Sequence, residues 1–207
     1  MLRRKAVNKF SVIISAPSGA GKSTLISRIM KKDPRFSFSV STTTRSPREG
    51  EKDGINYYFK DRKEFEQMIA NDEFLEWAEV HGNLYGTSKK EVDRIHAAEK
   101  IPLFDIDVQG AKNIREKIAG VFVFIVPPSM EELKRRLLSR STDSQETIDL
   151  RIKNASAELA YAGIYDYVIV NDSLETAEND FFSVMRAEEI KTSRMIYKIN
   201  DLAGGLK

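Results

Sequence analysis

The chain has 207 residues, 41% hydrophobic and 31% charged, with a formal net charge of +2 at neutral pH. That length and balance suit one globular domain with room for inserted lobes, and near-neutrality gives no global basis for a nucleic-acid or membrane-surface binder. Cysteine is absent, which excludes disulfides and thiolate metal sites and fits a reducing cytosol.

Residues 1–10 (MLRRKAVNKF) read as a basic, solvated tail without the long apolar segment of a secretory leader. No other run approaches membrane-spanning length, so the cytoplasm is the expected location. Residues 10–15 (FSVIIS) form a short apolar strand pattern, and 22–32 an amphipathic helix. Between them lies 16–24 (APSGAGKST), a phosphate-gripping loop in the strand–loop–helix setting this motif requires. Gly19 and Gly21 let the backbone wrap around phosphate oxygens with its N–H groups turned inward. The helix N-terminus adds partial positive charge there. Lys22 is expected to reach the β- and γ-phosphates and the Ser23 hydroxyl to hold Mg²⁺. The usual first glycine of the motif is Ala16 here; its methyl group is tolerable if φ stays negative.

Residues 41–60 (STTTRSPREGEKDGINYYFK) are polar and turn-rich, and 72–87 (DEFLEWAEVHGNLYGT) are aromatic and strand-like. Together they predict a small β-rich lobe inserted after the first helix. Asp61 with Glu64, Ser88 with Glu91, and Ser129 with Glu132 have capping-box spacing and open helices. Further apolar strand runs lie at 101–107 (IPLFDID), 121–126 (VFVFIV) and 166–170 (DYVIV). Strands alternating with helices predict an α/β fold with a parallel sheet covered on both faces. Residues 139–147 (SRSTDSQET) read as a mobile lid between two basic helical stretches, and 171–190 as a long helix carrying Leu174, Ala177, Phe181 and Met185 inward.

Chemistry concentrates where strand ends should meet the loop. Asp105 and Asp107 end an apolar strand, where a carboxylate can orient Mg²⁺ through water or pair with a base; Asp107 also suits a helix cap. Arg45 and Arg48 flank Ser46–Pro47 as two guanidinium forks for a dianionic phosphate, with Tyr57 and Tyr85 as hydroxyl donors to the same group. Glu76 matches the two parallel donors of a guanine edge, with Ser41 and Thr87 adding hydroxyls, while Trp77 is expected to pack. Residues 134–136 (KRR), Arg140 and Arg151 gather positive charge around the lid, suited to a migrating phosphoryl group. His81 and His96 receive no role.

As a set and in this order, SAPSGAGKST, FSVSTTTRSPREGE, GINYYF, FLEWAEVHGNLYGT, LFDIDVQG, FIVPPS and VIVND resemble the guanylate kinases from about Phe10 to about Ile190. The resemblance implies a three-layer P-loop NTPase core (8–40, 88–133 and 156–190), a GMP-binding lobe (41–87) and a mobile lid (134–155). It implies transfer of the γ-phosphoryl of ATP to GMP, plausibly dGMP too, with Mg²⁺ as Mg–ATP. Ser41, Glu76 and Thr87 would read guanine; Arg45, Arg48, Tyr57 and Tyr85 would hold its phosphate, with Asp105 and Asp107 close by. Residues Ala16, Pro17, Ser18, Gly19, Ala20, Gly21, Lys22, Ser23 and Thr24 would bind ATP, with Arg136, Asn171 and Asp172 beside the adenine. Lys22, Arg48, Arg140 and Arg151 would be the catalytic cations. Ser139–Arg140–Ser141 departs from the Gly-Arg-Gly usual in the family's lid, which bears on closure rate, not chemistry. The tail 191–207 lies outside the match, and the chain is expected to be a monomer or homodimer. Two other readings stand beside this one: a phosphopeptide-binding scaffold module, in which the phosphate loop would be disrupted, and a kinase for another nucleoside monophosphate.

Overall fold

A computed structural model describes residues 10–80, 82–139 and 145–204. In chain order the first half contains β1 (Ser11–Ser15), α1 (Lys22–Lys32), β2 (Phe36–Phe38), β3 (Thr42–Thr43), β4 (Tyr58–Phe59), α2 (Arg62–Ala70), β5 (Phe74–Val80) and β6 (Asn83–Ser88). The second half contains α3 (Lys89–Ala97), β7 (Ile101–Asp105), α4 (Val108–Ile114), β8 (Gly120–Val126), α5 (Met130–Leu138), α6 (Gln145–Leu159), β9 (Tyr167–Val170), α7 (Leu174–Glu189) and α8 (Thr192–Gly204).

Five strands form a parallel sheet in the order β2-β7-β1-β8-β9. Because successive side chains face opposite ways, β1 feeds two cores. Val12 and Ile14 join Leu103, Val123, Ile125 and Ile169 under Leu25 and Ile29 of α1 and Phe181 and Met185 of α7. Ile13 joins Phe104, Phe122 and Phe124 under Val92 of α3 and Ala111 and Ile114 of α4. Each fully buried Ile, Leu or Phe contributes about 1.5–3 kcal/mol, so both faces must be covered, and this gives the three layers expected from the alternating pattern.

The inserted strands form a separate four-stranded sheet, β4-β3-β6-β5. Under α2, Phe65 stacks on Phe74 with ring centroids 4.4 Å apart, and Leu84 completes that small core. The pairing of β5 with β6 is irregular between Phe74 and Glu76. Such a break re-aims side chains: Phe74 packs under α2, while Leu75 joins the α4-side core and Glu76 also turns toward α4.

The capping pattern holds in part. Asp61 and Glu64 form a reciprocal box on α2. Ser88 and Ser129 accept from the N–H groups of Glu91 and Glu132, but those glutamates turn to arginines instead of back to the helix start. Helices α5 and α6 run without a break across 133/134 and 155/156. The tail beyond the match, to which no function is assigned, carries α8 over Thr192–Gly204. Trp77, expected to pack, is 44% exposed.

Candidate active site

The loop after β1 turns on Gly19 (φ 91°) and Gly21 (φ 90°), the left-handed region glycine adopts at no steric cost. Gly21 is also the N-cap of α1; no side chain caps that end and no acid lies in its first turn, which leaves the backbone N–H groups and the helix dipole open to an anion. Ala16 has a negative φ, since positive values among the described non-glycine residues fall only at Asp72 and Glu99. Ala16, Pro17, Ser18, Gly19, Gly21, Lys22, Ser23 and Thr24 line a cleft of about 280 Å³ together with Glu158 of α6. Ala20 differs from its neighbours: its side chain is buried, and its carbonyl accepts from Asn171 Nδ2 at 2.7 Å and Arg136 Nη1 at 3.4 Å.

A second cleft, of about 200 Å³, has walls from both sheets. Glu76 of β5 and Tyr85 of β6 come from the inserted sheet, Ser41 and Tyr57 immediately precede its strands β3 and β4, and Asp105, Asp107 and Gly110 come from the end of β7, the cap of α4 and α4 itself. Glu76 is 6% exposed, and Thr87 Oγ1 donates to its carboxylate at 2.8 Å. Burial pushes the Glu76 carboxyl above the usual range; the Thr87 hydroxyl opposes that, and the nearby Asp107 charge adds to it. A β-carbon on Gly110 would come within 3.3 Å of Glu76 Oε2 and of Asp107 Oδ1, so glycine leaves room for the two carboxylates. Asp107 caps α4 by accepting from Gly110 N at 2.7 Å and still lines the cleft.

The two clefts meet at one ion pair. Lys22 Nζ lies 2.5 Å from Asp105 Oδ1, with both side chains partly exposed, and it also donates to the Ile106 carbonyl at 3.3 Å. Beside the second cleft, Arg45 Nη2 donates to both Glu51 carboxylate oxygens at 2.8 and 2.9 Å, and the guanidinium lies 5.3 Å from the Tyr57 ring centroid. Burial also raises the Tyr57 hydroxyl, with Tyr85 adding to it and Arg45 opposing. Arg48 is exposed, and its N–H donates to Glu51 at 2.8 Å.

The family model for guanylate kinases matches residues 8–188. The chain belongs to the guanylate kinase family. It is 49% identical over 196 residues to guanylate kinase of Carboxydothermus hydrogenoformans, covering 94% of this chain and 96% of that one. With guanylate kinase of Geobacter sulfurreducens it shares 48% over 191 residues, covering 92% and 94%. Among solved structures, guanylate kinase from Anaplasma phagocytophilum superposes with a TM-score of 0.73 at 37% identity, over 90% of this chain and 89% of that one.

Of the residues singled out from sequence, the loop residues line one cleft, while Ser41, Tyr57, Glu76, Tyr85, Asp105 and Asp107 line the other. Thr87 stands behind Glu76 rather than in the cleft wall. Arg136 and Asn171 face the back of the loop, Asp172 is exposed, and Arg151 is half-buried on α6. Arg140, Ser141, His81 and the basic residues Arg3, Arg4 and Lys5 lie outside the described residues. Sequence reasoning missed Glu158. Burial raises its carboxyl, while Lys22 and the Ser18 N–H pull it down, yet no motif marks it. Glu91, expected only as a capping partner of Ser88, has a buried carboxylate that accepts from Val40 N, the Tyr58 hydroxyl and the Arg94 fork.

Proposed function

We propose that the two clefts are the ATP and GMP cradles of a guanylate kinase and that the Lys22–Asp105 pair marks the line of transfer between them. The chain is an ATP:GMP phosphotransferase: an oxygen of the GMP phosphate attacks the γ-phosphorus of ATP in line, and the bond to the bridging oxygen of ADP breaks. Such transfers need little covalent chemistry from the protein, so positioning and charge do most of the work. Lys22 and the loop amides hold the ATP phosphates, and Lys22 exchanges its Asp105 partner for phosphate oxygens. Arg45 and Arg48, with the Tyr57 and Tyr85 hydroxyls, hold the GMP phosphate, and Arg151 adds charge from α6. Glu76, oriented by Thr87, accepts the N1–H and N2–H₂ donors of guanine, with Ser41 contributing a hydroxyl.

Mg²⁺ fits this donor set. The exposed Ser23 hydroxyl and the Asp105 carboxylate are hard oxygen ligands beside the loop. When bound with ATP, the ion neutralises phosphate charge. The observation that carries this reading is the shared ion pair: Asp105 lines the second cleft and also touches the phosphate-loop lysine. A coupled ADP-release assay with GMP, dGMP, AMP, UMP and CMP tests it. Turnover confined to the guanine nucleotides is expected, and equal or greater turnover of any other monophosphate would overturn the assignment.

A further inference from the structure

The phosphate loop is held from behind. Asn171, at the end of β9, is 3% exposed, and its Nδ2 donates to the Ala20 carbonyl at 2.7 Å. Arg136, on the last turn of α5, sends Nη1 to the same carbonyl at 3.4 Å and Nη2 to the Asn171 carbonyl at 2.9 Å. Its Nε is fixed by Glu132 at 2.7 Å. A peptide carbonyl and the N–H of the same peptide group point in opposite directions. Holding the Ala20 carbonyl toward α5 and β9 therefore turns the Gly21 N–H the other way, toward the cleft. Gly21 allows this close approach, because a β-carbon there would collide with Asn171 Nδ2.

We infer that Asn171 and Arg136 are positioning residues that bracket the Ala20 carbonyl and so pre-set the anion-binding amides of the loop. This rests on the loop being the ATP cradle. The bracket is made entirely of contacts within the protein. It acts on any polyphosphate that enters the loop, whatever is attached to it.

Binding of MgATP and of magnesium tripolyphosphate, which carries no base, separates the two roles. In Asn171→Asp, which swaps the amide donor for an acceptor, and in Arg136→Lys, which keeps the charge and loses the fork, affinity should fall roughly tenfold for both ligands, the scale of one lost buried hydrogen bond. KM for ATP should rise while KM for GMP stays put. Amide exchange in the peptide covering residues 18–22 should quicken in the nucleotide-free variants. That readout stands even if the substrate assignment is wrong, and Arg136→Lys, at a partly exposed site, tests the idea if Asn171→Asp does not fold. Loss of ATP affinity with tripolyphosphate affinity and loop exchange unchanged would overturn the bracket in favour of base contact.

Discussion

Replacing Glu76 by glutamine should move recognition and stability in opposite directions. In the proposed site the wild-type carboxylate would offer two acceptors to two guanine donors. Glutamine offers one acceptor and one NH₂, which would face the guanine 2-amino group donor to donor. A matched bidentate contact is worth about 1–3 kcal/mol of discrimination, and an unpaired buried donor costs about 1–3 kcal/mol. Glu76 is 6% exposed, so little water can relieve the mismatch. A loss of about 3 kcal/mol, or roughly 150-fold, is expected in the kcat/KM ratio for GMP over IMP, which lacks the 2-amino group. Stability should move the other way. Burial raises the folded pKa of Glu76 above its unfolded value, so the folded state favours the protonated form and stability falls as pH rises through that interval. Glutamine removes this cost, so the variant should melt higher than wild type at pH 7, with the difference vanishing below about pH 4, under the ordinary glutamate pKa. Coupled assays on the two nucleotides and melts at the two pH values test both halves. An unchanged GMP:IMP ratio would refute the base-reading role, and a lower melting temperature at pH 7 would refute the account of the buried charge.

Lys22→Met should reduce kcat by about 10³ or more while the melt is little changed, because its Asp105 partner is partly exposed; near-normal turnover would contradict its role. Glu91→Ala should cost about 2–4 kcal/mol in urea unfolding by leaving the Val40 N–H and the Tyr58 hydroxyl without their acceptor. Burial pushes the Glu91 carboxyl up, but the Arg94 fork, the Val40 N–H and Tyr58 outweigh it and hold it low. Its stabilisation is therefore present above the unfolded pKa and lost as pH falls through the folded one, so the variant should show a flatter acid limb. Gly21→Ala should abolish detectable ATP binding in calorimetry while GMP still binds, since φ is 90° there and the new β-carbon meets Asn171.

Local signals in this chain were readable from sequence wherever one short segment carried them. The glycines of the loop, the apolar strand runs and the Asp61–Glu64 box each need only near neighbours. What escaped needs partners far along the chain. The Ala20 carbonyl meets side chains 116 and 151 positions away, and a backbone acceptor leaves no trace in residue type. Ser88 and Glu91 have the spacing of a capping box, but a buried glutamate beside an arginine fork and two free donors takes those instead. Strands β2 and β3, of three and two residues, are too short for an alternation to register. In α8, Met195, Ile199 and Leu202 recur at helical spacing, a pattern that is legible in the sequence itself.

The walls of the second cleft come from both the inserted lobe and the main-sheet side, so a nucleotide held there as proposed would become part of the architecture while bound. In the proposed site, a base that engages Glu76 on one side and the β7–α4 carboxylate end on the other would add a second link between two units already packed together where Leu75 meets the α4-side core. Choosing guanine and drawing the two sheets together are then one event. An analogue that satisfies only one wall should bind without bringing the acceptor phosphate up to Lys22.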